Sequence, residues 1–417
     1  MKNIEIIGGN RLFGTLRVQG AKNSVLPILA GTLLNEGKTI INDCPNLSDV
    51  HSAFNILRNL GCVVEFRENT AIVDAADVEC CSIPDSLMKE MRSSVMFLGA
   101  IISRCGEASI SPPGGCDIGQ RPIDIHIKAF RELGVSIEET AELINCKLDG
   151  EILGGKVELK FPSVGATENI MLLAAKSNVV TTIANAAREP EIVDLQNFLN
   201  ALGANITGAG TSEVTIRGVK SLRNAEYTVI PDRIVASTYL CATAAAGGAI
   251  MLTNVVPEHI ETVISALRNA GCDVKTSKNT VMLTSERNLK AIAGVETLPY
   301  PDFPTDAQAL VMATLATSSG TTLFVENLYE DRFKHIPELR KMGAEVVQFK
   351  QVAAVSGVAS LHGATVAATD LRGGAALVIA ALGAQGKTII TNTQHIYRGY
   401  ENIVRDLAEL GAEITHL

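Results

Sequence analysis

Tryptophan is absent from the chain, and tyrosine occurs six times in 417 residues. No aromatic platform is therefore available for a sugar, which has to be held by hydrogen bonds and charge. Long apolar runs are also missing: stretches such as 237–252 fall short of about 20 residues and are rich in Ala and Gly, which fits buried helices rather than membrane spans. The first sixteen residues, with Gly8-Gly9 and charges at Lys2, Glu5 and Arg11, lack the apolar run of a signal peptide, so a cytosolic protein is expected. Positive charge is in deficit, 36 Lys and Arg against 45 Asp and Glu for a net −9. This excludes binding of nucleic acid or a lipid surface by bulk charge, and an anionic ligand has to be met by local clusters of Lys and Arg. Nine cysteines form no C-x-x-C pair and no Cys/His ligand spacing, so they are expected as reduced thiols, with no metal and no cofactor. What remains, 47% hydrophobic and 19% charged residues, describes a folded chain long enough for two or three domains.

The chain repeats itself six times. The segments RNLGCVVEF, RELGVSIEE, NALGANITG, RNAGCDVKT, RKMGAEVVQ and AELGAEITH carry Gly61, Gly134, Gly203, Gly271, Gly343 and Gly411, spaced by 73, 69, 68, 72 and 68 residues. One sixth of the chain is about 70 residues, the size of one supersecondary unit. Each glycine follows a helical run and precedes a β-type run, as expected of a left-handed residue closing a helix. In phase with it runs an Ala-rich helix, a polar break at 37, 106, 178, 247, 320 or 386, and a strand. Each unit is thus expected as buried helix, strand, loop, amphipathic helix, Gly, strand. Three units around their own apolar helices would hide them, which gives an α/β protein of two pseudo-symmetric domains. The expected division is 22–229 for the first three units, and 1–21 with 230–417 for the second three.

The repeat also aligns charge. Fourteen residues before the breaks stand Asn23 beside Lys22, Arg92, Val164, Arg233, Asp306 and Arg372; in the loops after the strands stand Ser48, Arg121, Arg188, Glu258, Arg332 and Arg398. Cations at helix amino ends add to the positive end of the helix dipole and repel one another unless an anion is present. A polyanion-binding cleft between the domains is the expectation. The segment Ser111–Ile127, SPPGGCDIGQRPIDIHI, places Cys116 on a Pro- and Gly-flanked loop with Arg121 five residues on, a setting that lowers a thiol pKa. Glu168, Glu189, Glu191 and Asp194 form an acidic group without a His partner, expected to tie down Arg188 and local helix starts. His126 is expected on a strand-to-helix turn within reach of ligand, and His335 and the other histidines as surface or structural residues.

At Gly20-Ala-Lys22-Asn23, Pro113-Gly-Gly-Cys116-Asp-Ile-Gly-Gln-Arg121-Pro-Ile-Asp-Ile-His126, Ser163-Val-Gly-Ala-Thr-Glu-Asn169, Arg188-Glu-Pro-Glu-Ile-Val-Asp194, Phe303-Pro-Thr-Asp306, Glu330-Asp-Arg332, Leu371-Arg372 and His395-Ile-Tyr-Arg398, the chain resembles the UDP-N-acetylglucosamine 1-carboxyvinyltransferases, the enolpyruvyl transferases that open peptidoglycan synthesis. The resemblance runs over the whole chain. It departs at Ser48, where some members have lysine, and at Gly373-Gly374, where Ala and a small residue are usual. The sister family, 5-enolpyruvylshikimate-3-phosphate synthase, shares the two-domain inside-out α/β barrel but lacks the Gly-Gly-Cys loop.

The resemblance implies transfer of the enolpyruvyl group of phosphoenolpyruvate to the 3′-hydroxyl of UDP-N-acetylglucosamine, with release of phosphate. It further implies that Lys22, Arg121 and Arg398 hold the phosphate and that Arg332 and Arg372 hold the carboxylate. Cys116 would protonate the methylene carbon, serve product release through a covalent adduct and take the epoxide fosfomycin, while Asp306 would accept the hydroxyl proton. The nucleotide sugar would meet Asn23, Arg92, Arg121, Pro122, Ile123, Asp124, Ile125, His126, Ser163, Val164, Gly165, Arg233, Asp306 and Leu328. Two other readings stay open: another acceptor such as shikimate-3-phosphate, or a nucleotide-sugar-binding paralogue without turnover. Oligomeric state is not legible.

Overall fold

The computed structural model describes residues 2–112, Gly119 and 123–417. It contains two compact units: one holds residues 20–112 and 123–230, the other residues 2–19 and 231–417. Each has its own hydrophobic core. The chain starts in the second unit, passes to the first between Gln19 and Gly20, and returns between Ile230 and Pro231.

Six central helices follow the Ala-rich segments. Lys22–Gly31, Phe97–Cys105 and Val164–Ala175 belong to the first unit; Arg233–Ala246, Thr305–Leu315 and Leu371–Gly383 belong to the second. Ala307 through Leu315 and Arg372 through Gly383 are buried without interruption, so these helices have no solvent stripe and need enclosure on every side. Within each unit the three pack against one another. The second helix of each repeat (Ser48–Asn59, Asp124–Glu132, Pro190–Ala201, Glu261–Asn269, Ile336–Lys341 and Ile403–Glu409) ends at the repeat glycine. All six glycines have a positive φ between 88° and 107°, the left-handed region that closes a helix without a Cβ penalty.

Six mixed four-stranded sheets share one order. In the first, Ala225–Thr228 lies parallel to Lys38–Asn42, which pairs antiparallel with Thr70–Asp74, which in turn pairs antiparallel with Val63–Arg67. The expected repeat contained only two of these four strands. The return strand and the parallel edge strand escaped it because they carry no repeat glycine, although the return strand Thr70–Asp74 is as long as Lys38–Asn42. The sixth sheet takes its return strand from the other end of the chain: Ile4–Ile7 sits between Lys387–Thr391 and Glu413–His416, antiparallel to both. Among the described residues no helix is long and apolar enough to cross a membrane.

Candidate functional site

In the second unit, Pro304 caps the Thr305–Leu315 helix and leaves Asp306 in its first turn. One carboxylate oxygen of Asp306 accepts from Arg332, and the other accepts from Arg372 Nη2 at 3.0 Å. Both arginine side chains are 4% exposed and that of Asp306 is 28% exposed. Burial raises the Asp306 carboxyl, but Arg372 and Arg332, with Arg233 further off, outweigh it and hold the group far below the usual carboxylate range. Burial likewise works against the Arg372 charge, and Asp306 reverses the effect. Arg372 Nη1 is buried with no hydrogen-bond partner among the described residues.

Local capping builds this arrangement. Asp370 Oδ1 accepts from the backbone N–H groups of Arg372 and Gly373, both at 3.0 Å, and so starts the Leu371–Gly383 helix. Asp232 starts the Arg233–Ala246 helix in the same way. Glu326, buried at the end of its strand, accepts from Thr305 Oγ1 at 2.9 Å and from the backbone of Leu328 and Tyr329. It thereby ties the loop that leads to Arg332 to the helix that carries Asp306. Arg233 lies over the Tyr300 ring at 5.7 Å, and Arg398 closes the short Thr393–Arg398 turn, half-buried.

In the first unit, Lys22 opens its central helix and pairs with Asp49 at 2.8 Å; the two side chains are 10% and 3% exposed. Asn23 follows, half-buried. Ser163 caps the Val164–Ala175 helix through its hydroxyl, which accepts from Ala166 N. The first N–H groups, at Val164 and Gly165, have no intrahelical acceptor, the usual condition of an anion-binding helix start. A methyl at Gly165 would lie 3.1 Å from His126 Cε1 and 3.4 Å from Nε2, so the imidazole covers this helix end. Asn169 Oδ1 accepts from Gly99 N, which fixes the amide so that Nδ2 donates to His126 Nδ1 at 3.0 Å. The ring is then neutral with its proton on Nε2, a donor at the helix amino end.

His126 is the third residue of the Asp124–Glu132 helix and not on a turn as expected. Ile123 and Ile125 are half-buried beside it and Asp124 is exposed. A recess of about 40 Å³ is lined by Asp124, Ile125, Lys128 and Lys160. Another, of about 680 Å³, is lined by Ser82, Asp85, Ser109, Ser111 and Pro112 and contains none of the expected residues. Cys116, Arg121 and Pro122 lie outside the described residues, as does the side chain of Arg92, whose backbone opens the Arg92–Met96 turn.

The expectation for the acidic group is corrected. Arg188 is exposed, and Asp194 accepts from Ser24 Oγ and Tyr227 OH, both at 2.5 Å. Burial, with Glu191 and Glu189 adding to it, pushes the Glu168 carboxyl well up, and among the described residues no group of side chains could hold a metal. Cys105 is exposed between Arg104 and Gly106. Burial of its thiol and the neighbouring Cys81 raise its pKa, which works against reactivity.

Sequence reasoning missed Asp49, Glu326, Asp370 and Lys160. Only the aspartate just before the Leu371–Gly383 helix carries a local signal, that of an N-cap.

The family model for EPSP synthase (3-phosphoshikimate 1-carboxyvinyltransferase) matches residues 6–407. UDP-N-acetylglucosamine 1-carboxyvinyltransferase 2 of Caldanaerobacter subterraneus subsp. tengcongensis is 50% identical over 417 residues, the whole of both chains. UDP-N-acetylglucosamine 1-carboxyvinyltransferase 1 of Carboxydothermus hydrogenoformans is 42% identical, covering 100% of this chain and 99% of that one. Among solved structures, the enolpyruvyl transferase NikO from Streptomyces tendae superposes with a TM-score of 0.89 at 27% identity, over 99% of this chain and 98% of its own. With its arginine-clamped aspartate and its serine-capped helix start, the chain belongs to the UDP-N-acetylglucosamine 1-carboxyvinyltransferase family, within the wider EPSP synthase family.

Proposed function

We propose that this protein transfers the enolpyruvyl group of phosphoenolpyruvate to the 3′-hydroxyl of UDP-N-acetylglucosamine and releases inorganic phosphate. The observation that carries the reading is Asp306 held between Arg332 and Arg372. Two buried guanidinium groups facing one carboxylate form a receptor for a second carboxylate, and fork-shaped donors suit it. Clamped this way Asp306 is a weak base. When the phosphoenolpyruvate carboxylate takes over the guanidinium donors, Asp306 regains the basicity to accept the proton of the attacking hydroxyl.

Lys22, Arg121 and Arg398 take the phosphate in this reading. Cys116 delivers a proton to the methylene carbon, the sugar oxygen bonds to the carbon that carries the phosphate, and loss of a methyl proton then expels phosphate and restores the double bond. Asn23, Arg92, Ile123–His126, Ser163–Gly165, Arg233 and Leu328 serve the nucleotide sugar, with the Val164 and Gly165 amides and His126 Nε2–H placed for its diphosphate. Lys160, which shares the recess of Asp124 and Ile125, joins them. The residues come from both units. The finer architecture, an inside-out α/β barrel in each unit, belongs to the same proposal; three mutually packed apolar helices per unit support it. Phosphate release with UDP-N-acetylglucosamine and phosphoenolpyruvate tests the function. Release with shikimate-3-phosphate and not with the nucleotide sugar would overturn it.

A further inference from the structure

We infer that His335 is a positioning residue that sets the spacing of Arg332 and Arg372, and through them the carboxylate end of the substrate; this rests on the assignment of that arginine pair to phosphoenolpyruvate. His335 is fully buried and caps the Ile336–Lys341 helix, its carbonyl accepting from Glu338 N at 3.1 Å and Leu339 N at 3.0 Å. Neither ring nitrogen makes a hydrogen bond of good geometry among the described residues, and the polar group that acts on the ring is the Arg332 backbone. Poorly partnered polar atoms in a core are costly, and a leucine there would avoid the cost. The charges that act on the ring are those of Asp370 and Arg332. Asp370 is the carboxylate that starts the helix of Arg372, and Arg332 is three residues back along the chain. The imidazole thus stands at the backbone end of both arginines, while Asp306 holds their guanidinium ends.

Gly373 makes that approach possible. A methyl there would lie 3.1 Å from His335 Cβ, 2.8 Å from Thr369 Oγ1 and 2.7 Å from Asp370 Oδ2. The contacts with Asp370 and Thr369 force those side chains to move, and His335 has to give by a few tenths of an ångström. A displacement of either arginine by a fraction of an ångström spoils a two-pronged grip on a planar carboxylate.

Steady-state kinetics of the full chain test this with His335→Ala, His335→Gln and Gly373→Ala. His335→Ala should raise the KM for phosphoenolpyruvate about tenfold and leave that for UDP-N-acetylglucosamine within about twofold. His335→Gln, which keeps a neutral polar group of similar reach, should restore most of the loss. Gly373→Ala should move the same KM in the same direction. Equal rises in both KM values, a fall in kcat alone, or no change in either overturns the inference. If His335→Ala does not fold, Gly373→Ala decides alone. Phosphate release by the unaltered chain separates this inference from the function: should there be none, the function fails. Calorimetric binding of phosphoenolpyruvate to the same variants then still tests the arginine pair.

Discussion

Replacing Asp306 by asparagine keeps the shape of the side chain and removes the charge that neutralises two guanidinium groups, each 4% exposed. Removing one partner of a fully buried pair costs about 3–5 kcal/mol. Asp306 is 28% exposed, so water screens part of the loss, and the amide oxygen still accepts one hydrogen bond; about 2 kcal/mol is the expected cost. For units of roughly 200 residues that lowers Tm by about 4–8 °C. Two unneutralised arginines also form a stronger anion site, so phosphoenolpyruvate at a hundred times the variant's Kd should stabilise the variant by about 2.7 kcal/mol and, at that same concentration, the unaltered chain by less. Scanning calorimetry of both proteins, with and without ligand, reads both effects. An Asp306→Asn chain that melts with the unaltered one and gains nothing extra from the anion would refute the ionic argument. Turnover should fall by about 10²–10⁴ if Asp306 accepts the hydroxyl proton. A destabilised but fully active variant would leave the ion pairs standing and remove the base.

Arg398→Ala should weaken phosphoenolpyruvate use by roughly ten- to a hundredfold, the loss of a charged donor, with UDP-N-acetylglucosamine binding within a few fold; equal loss for both substrates would contradict the assignment. Burial, and Arg332 after the opposing Asp370, hold His335 down to about 4 against its usual 6.5, so the unfolded chain takes up this proton first. Stability should drop as pH falls from about 6.5 to 4, by about 3 kcal/mol in all, and pH-dependent melting of His335→Gln should lack that component. Fosfomycin should add one alkyl group at Cys116, faster with UDP-N-acetylglucosamine present, while Cys105 reacts slowly despite its exposure; peptide mass spectrometry showing Cys105 modified first would contradict this. Gly271→Ala, at φ 104°, should cost about 1–2 kcal/mol, read as a shift in denaturant midpoint.

Periodicity made much of this fold legible before any coordinates. The repeat glycines close their helices and five of the six counted positions fall at a central helix start, Arg92 instead opening the turn that precedes Phe97–Cys105, because both signals are local: a left-handed residue and an apolar run need only their own neighbours. Strand partners are not local. Nothing in Ile4–Ile7 says that it pairs with Lys387–Thr391, and nothing in Ala225–Thr228 says that it pairs with Lys38–Asn42. The candidate site divides along the same line. Asp306, Arg332 and Arg372 were identifiable singly, but their mutual clamp spans 26 to 66 residues. The supports Asp49 and Glu326 act across other elements and carry no pattern of their own. His335 was assigned a structural place because burial between a cap and an arginine does not appear in a sequence.

The repeat explains why the charges neutralise one another differently in the two units. Equivalent helix starts in the second unit carry Arg233, Asp306 and Arg372, and because the three helices pack together, one acid at an equivalent position meets the cation of a neighbouring repeat. In the first unit the equivalent positions offer Lys22, Arg92 and Val164 with no acid among them. Lys22 therefore draws its counter-charge from Asp49 on the second helix of its own repeat. In both cases an incoming anion has to displace a carboxylate that is already in place. A singly charged, strongly hydrated ion gains too little from that exchange to hold the site. In the second unit a ligand carboxylate that grips both guanidinium groups at once can replace Asp306 where a singly contacting ion cannot, and the proposed phosphoenolpyruvate supplies such a group.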